Sequence, residues 1–188
     1  MSRGENIRSG YYWLSMFGDN LWMSHYKRPQ HGGATVFFTI NLADRGSNLL
    51  VREVAALRAA VTQTRAARPF VIDAWVVLPD HMHCVWTLPA ADADYSVRVG
   101  AIKGRFTRMV RRSGFCPPPT LQNRHGVNAG RQDRAEAPIW QKRFWERHIR
   151  DDRDYAAHIN FCWINPAKHG LVKDVRNWPY SSYHRDNP

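Results

Sequence analysis

Two β-rich runs, Phe70 to Leu78 and His81 to Leu88, are separated only by Pro79-Asp80. A connection that short can join antiparallel neighbours but cannot carry the crossover that parallel strands need. The chain is thereby committed to an antiparallel sheet, and the other elements must be arranged around this hairpin. Ala34 to Leu42 alternates as a strand does, with Val36, Phe38, Ile40 and Leu42 on one face. Leu50, Val54, Leu57 and Val61 recur at helical spacing and predict a helix from about Leu49 to Ala66. Val99, Ile102, Phe106, Met109 and Val110 mark a second helix, and residues 139–149 read as a fourth strand. Asp151-Asp152 opens a third helix with acidic residues at its positive end. It is expected to stop near Ile164, because the residue before Pro166 is pushed out of the helical region. The order β-α-β-β-α-β followed by a C-terminal helix predicts an α+β, ferredoxin-like domain: an antiparallel sheet with helices packed on it.

The 188 residues suit one domain with a real core. Residues 1–22 mix Gly, Ser and aromatics without a period. They read as an extension or a mis-assigned start, with residues 23–188 forming the domain. Residues 114–138 hold three consecutive prolines and read as a long loop. Cys84, Cys116 and Cys162 give neither a disulfide framework nor a paired zinc signature, which suits a reducing cytoplasm. No run is long enough to span a membrane. Lys and Arg outnumber Asp and Glu by 27 to 16, giving a formal charge of +11. A folded domain that basic points to a polyanionic partner, nucleic acid before any other. Lys103, Arg105, Arg108, Arg111 and Arg112 make the second helix basic, and Lys142, Arg143, Arg147 and Arg150 do the same for the fourth strand. Cations there can track phosphates, and Phe144 and Trp145 among them could stack bases or simply pack.

His81 and His83 stand at i and i+2 of a strand, so both imidazoles project to one side. That is a plausible half-site for a divalent metal, although the pair alone also reads as two surface histidines. At about 100° per residue, His158, Phe161 and Asn165 share one face of the third helix. Asn165 could complete the metal site or merely end the helix.

The run Ile72 to Trp86, containing His81-Met82-His83, resembles the HUH signature of single-tyrosine transposases, and among them the REP-associated tyrosine transposases of bacteria. Asn165-Pro166-Ala167-Lys168-His169-Gly170 and Trp178-Pro179-Tyr180-Ser181-Ser182-Tyr183-His184 are similar to two further blocks of that subgroup, in the same order. The resemblance implies that His81, His83 and Asn165 hold Mg²⁺ or Mn²⁺ against a scissile phosphate. It also implies that a helix tyrosine attacks to give a 5′-phosphotyrosine and a free 3′-OH, without a nucleotide cofactor. The implied partner is single-stranded or hairpin DNA of the repetitive extragenic palindrome type, handled by a monomer rather than a dimer. The family pattern is a tyrosine, three residues, then Asn or Gln, so the nucleophile position is Phe161, and Trp163 replaces the family's usual histidine. Phenylalanine keeps the ring and lacks the nucleophilic atom. Three readings follow: strand transfer through another tyrosine, recognition of DNA without cleavage, and metal-dependent hydrolysis by water. Tyr155 is the weak substitute nucleophile; it lies roughly 9 Å along the helix from Phe161 and on the apolar face with Ile159 and Cys162, where core packing suits it better. Tyr180 and Tyr183 stay open as alternatives.

Overall fold

The computed structural model describes residues 32–115 and 138–188. The proposed extension at 1–22 and all but the ends of the proposed loop at 114–138 lie outside the described residues, as does Cys116. Strands β1 (Thr35–Asn41), β2 (Val71–Val77), β3 (His81–Thr87) and β4 (Trp145–His148) form one sheet in the order β2-β3-β1-β4. Every pairing is antiparallel, and for β2 and β3 the three-residue connection Leu78-Pro79-Asp80 requires it. The helices are α1 (Leu49–Arg52), α2 (Val54–Ala67), α3 (Tyr95–Arg112), α4 (Asp152–Lys168) and α5 (Tyr183–Asp186). The sequence of elements through β4 is the expected β-α-β-β-α-β, except that the first helix breaks at Glu53 into α1 and α2.

Strand alternation sends side chains to both faces of the sheet, and both faces are covered. Phe38, Ile40, Met82, Cys84 and Trp86 meet α2 and α3 in the larger core. Phe37, Val76, Val85 and their neighbours meet Ile159 and Cys162 of α4 in a smaller one. The sheet is thus the middle of three layers. The described cysteines, Cys84 and Cys162, are buried free thiols. Arg98 of α3 is 1% exposed and joins the layers at one end. It donates to both carboxylate oxygens of Asp92, at 2.9 and 2.6 Å, and to the carbonyls of Arg68 and Pro69 at 3.3 and 2.9 Å. No helix among the described residues is long and apolar enough to cross a membrane.

Two elements depart from expectation. The fourth strand is only Trp145–His148, preceded by a single bridge from Trp140 to Leu42. The last long helix does not stop at Asn165-Pro166; it runs to Lys168 with Pro166 inside it. Pro166 removes one backbone bond near the end of the helix, and burial of Asn165 and Pro166 against the sheet outweighs that loss. The stop is Gly170. At φ +68° it takes the left-handed turn that other residues resist. Its N–H reaches the Ala167 carbonyl at 2.9 Å and the Leu171 N–H reaches the Pro166 carbonyl at 3.0 Å, the paired bonds of a Schellman cap.

The C-terminal segment then lies along the open edge of β2. Val77 N–H donates to the Tyr180 carbonyl at 2.8 Å, Ser182 N–H to the Trp75 carbonyl at 2.7 Å, and Trp178 Nε1 to the Val77 carbonyl at 2.9 Å. An edge that would otherwise offer unpaired backbone groups is thereby covered over part of its length.

Candidate functional site

His81 and His83 are not surface residues. They lie on an interior strand of the sheet and retain 5% and 1% of their exposure. Each has its Nδ1 held. His81 Nδ1 is 2.5 Å from Asp80 Oδ1, and because a carboxylate only accepts, that nitrogen carries the proton. His83 Nδ1 is 2.9 Å from Thr39 Oγ1, its direct partner across the β1–β3 ladder. In the tautomer that donates to Thr39, both histidines present the lone pair of Nε2, as metal-bound histidines do when their other nitrogen is fixed by a neighbour. Burial drives the His83 pKa well below its ordinary value, and His81 and His169 push it in the same direction, so the ring is neutral near pH 7.

Helix α4 lies over this pair, packed on β2 and β3. Its start is fixed by Asp151, whose side chain accepts from the Asp154 N–H at 2.8 Å. The expected helix face is real. The His158 ring is 4.8 Å from Phe37, and Phe161 stands edge-on to both His83 and Phe37 at 5.1 and 5.7 Å. Asn165 is 2% exposed, and its Oδ1 has no hydrogen-bond partner among the described residues. A buried oxygen left without a donor suits a ligand to a hard cation. Among the described residues no three His, Cys, Asp or Glu side chains form a metal cluster. Two imidazole nitrogens and one amide oxygen are the donor types that would suit Mg²⁺ or Mn²⁺.

Four participants escaped the sequence reading. Thr39 and Asp80 hold the histidines. His169 brings its ring to 5.1 Å from His81, and partial burial and then His81 hold its pKa below the ordinary value. Lys168 places Nζ 5.2 Å from the centroid of the Phe161 ring. His169 follows Asn165 by four residues, a spacing that could have put it on the same face. The pairing of Thr39 with His83 depends on register, which no local pattern discloses.

Two aromatic side chains differ from expectation. Tyr155 is 36% exposed rather than a core residue, because its hydroxyl reaches across to Asp73 at 3.2 Å. Burial and the Asp73 carboxylate raise its pKa, which works against ionisation. Trp163 turns away from the histidines. Its indole N–H lies 3.4 Å from Ser182 Oγ, and its ring stands 5.7 Å from that of Tyr183.

The cations divide into two sets. Lys103 donates to the Gln141 carbonyl at 3.0 Å and Arg105 to Thr64 Oγ1 at 3.1 Å, so both are engaged with the protein. Arg147 and Arg150 pair with Asp154 at 3.3 and 3.6 Å and lower its pKa. Arg108 and Arg112 are exposed, make no hydrogen bond or ion pair to described residues, and border a shallow groove beside Gly104 and Thr107. Lys142 and Arg143 are exposed on the irregular stretch ahead of β4 rather than on the strand. Phe144 packs against Phe38 at 5.9 Å, while Trp145 keeps 45% of its surface.

No protein-family model matches the chain. It is 45% identical over 164 residues to the REP-associated tyrosine transposase of Escherichia coli (strain K12), covering 87% of this chain and 85% of that one. It is 42% identical over 164 residues to a Haemophilus influenzae protein named for the same family, covering 87% and 88% of the two chains. Among solved structures it is similar to a REP-associated tyrosine transposase bound to a REP hairpin, with a TM-score of 0.71 and 43% identity over 87% of this chain and 85% of that one.

Proposed function

Since the chain belongs to the family of REP-associated tyrosine transposases, we propose that it binds hairpin-forming single-stranded DNA and holds a divalent metal against one phosphate, without making a phosphotyrosine at position 161. The observation that carries the second half is the placement of Phe161. Its ring stands 5.1 Å from His83, where a nucleophile would face the metal, and a phenyl ring has no atom that can attack phosphorus.

The DNA half rests on kinship with a hairpin-bound protein and on charge. Arg108 and Arg112 line an open groove with no carboxylate among the described residues to satisfy them, so they are suited to phosphate oxygens. Lys142 and Arg143 are suited to the same work. Arg147 and Arg150 serve first to anchor α4 through Asp154, and Lys103 and Arg105 to join α3 to its neighbours. The metal-binding half uses His81 Nε2, His83 Nε2 and Asn165 Oδ1. A metal bound there supplies Lewis-acid polarisation of a phosphate oxygen. The protein's part is to fix the two imidazoles through Asp80 and Thr39 and to cover them with α4. Lys168 adds a cation beside the same place, able to hold a phosphate oxygen. Tyr155 is ill suited to replace the missing tyrosine, because Asp73 holds its hydroxyl. A monomer in the cytoplasm, working with Mg²⁺ or Mn²⁺ and no nucleotide cofactor, completes the proposal.

The test is a denaturing gel of end-labelled hairpin DNA incubated with protein and Mn²⁺, run for the wild type and for Phe161→Tyr. The expected result is wild-type binding without an adduct, and a protease-sensitive covalent adduct in the variant. An adduct on the wild-type protein would assign attack to another tyrosine, and failure of the wild type to bind the hairpin would refute the proposal. Cleavage by the wild type without an adduct would instead assign attack to water.

A further inference from the structure

On the face of the sheet opposite the histidines, a cavity of about 390 Å³ opens between α2, the edge strand β2 and the C-terminal segment. Leu57 and Val61 form its apolar floor, Trp75 and Tyr180 its aromatic walls, and Arg58 and Arg185 its rim. The C-terminal segment that builds this wall is the third sequence block, which contributes no residue to the metal site.

We propose that this cavity takes one unpaired base of a single-stranded DNA, with the adjoining phosphate on Arg58. The inference rests on the DNA-binding reading above and adds a second subsite to it. Size is the first reason. The cavity lies at the small end of the range of about 300–1,000 Å³ found for ligand sites, room enough for a base and its sugar. Wall chemistry is the second. Trp75 is half-buried, with its ring centroid 6.1 Å from that of Trp86, so it is a backed and rigid platform. Aromatic platforms bind bases through their faces with little regard to sequence. Charge is the third. No carboxylate among the described residues lines the cavity, and Arg58 is exposed with no hydrogen bond or ion pair to described residues. Arg185 is committed differently: it donates to the Ile72 and Asp73 carbonyls at 3.0 and 2.7 Å and so holds the wall in place. An apolar slot with one uncommitted cation at its mouth matches a base attached to a phosphodiester. A neutral apolar ligand would leave that cation unused.

Fluorescence anisotropy on the full chain tests the proposal with two DNAs: a blunt hairpin and the same hairpin carrying a short single-stranded extension. Two variants are compared with the wild type. Thr62→Trp fills the cavity from an exposed lining position of α2 that is not in the core, and Arg58→Glu reverses the rim charge. The wild type is expected to prefer the extended hairpin by about 10-fold, the scale of one stacked base. Both variants should lose that preference while keeping the wild-type affinity for the blunt hairpin. Equal wild-type binding of the two DNAs would overturn the cavity proposal and leave hairpin recognition standing. Preference surviving in Thr62→Trp would do the same. Absence of any hairpin binding by the wild type would overturn the functional reading itself, and this proposal with it.

Discussion

Thr39→Val separates a metal site from a pair of merely buried histidines. The substitution keeps the β-branched shape on β1 and deletes the one oxygen that His83 Nδ1 can reach there, 2.9 Å away. Thr39 is 7% exposed and His83 1%, so water cannot take its place. Two effects follow. The buried ring nitrogen is left without its partner, which destabilises the fold by about 1–3 kcal/mol. The ring is also deprived of the hydrogen bond that favours the Nδ1–H tautomer and fixes its orientation. Removing such a supporting partner typically weakens metal binding by about 10–100-fold, or about 1.4–2.7 kcal/mol. Titration calorimetry with Mn²⁺, well below the unfolding temperature, reads the affinity directly. Thr35→Val is the control: it lies on the same strand and breaks a 2.8 Å hydrogen bond with Thr87, away from the histidines. It should cost stability and leave Mn²⁺ affinity unchanged. Equal Mn²⁺ affinity in Thr39→Val and wild type would refute the assignment. So would an equal reduction in Thr35→Val, since general loosening would then account for both.

Double substitution Arg108→Ala/Arg112→Ala should weaken hairpin binding and flatten the dependence of log K on log salt by about 1 for each phosphate no longer neutralised, whereas Arg105→Ala should leave that slope unchanged; measuring affinity across a salt series decides this. Asp92 carries the pH prediction. Its hydrogen bonds to Arg98 hold its pKa at about 2, below the ordinary carboxylate value, so its contribution is complete above pH 4 and disappears as pH falls toward 2. Asp92→Asn should therefore cost about 2 kcal/mol at pH 7, discounted for the carboxylate's partial exposure, and the gap from wild type should close between pH 4 and 2 in denaturant titrations; a gap constant to pH 2 would contradict it. Gly170→Ala forces a side chain into φ +68° and should destabilise by about 1–2 kcal/mol, seen as a fall in Tm of about 2–4 °C per kcal/mol.

The elements were legible where one periodicity persisted. Alternation located β1, two β-rich runs about Pro79-Asp80 located β2 and β3, and the spacing of Val99, Ile102, Phe106 and Val110 located α3. Local rules failed where packing overrode them. Pro166 looks like a stop, but α4 passes through it because burial of that turn outweighs one missing bond, and Gly170 four residues on supplies the cap. Charge type did not disclose charge use. Lys103 and Arg108 look alike in the sequence, yet one binds the Gln141 carbonyl and the other faces solvent. The Arg150–Asp154 pair was legible in principle from its four-residue spacing. Which histidine nitrogen faces inward was not, since it follows from the register that sets Thr39 beside His83.

Phe161 and its surroundings stand in different energetic positions, and the contrast bears on what the chain does. A phenyl ring against Phe37 and His83 belongs to the smaller core and leaves no polar group to satisfy, so the fold tolerates it without strain. The groups around it are not of that kind. Leaving Asn165 Oδ1 without a donor among the described residues opposes folding by about 1–3 kcal/mol if nothing answers it. An apolar side chain at that position would fill the same layer at no such cost. Local choices that work against stability are expected where a ligand, not the fold, determines the residue. By that criterion Asn165 calls for a ligand, as the proposed metal site supplies, while a phenyl ring at position 161 calls for none. On the proposed reading the chain is expected to bind both metal and DNA and to stop short of the covalent step.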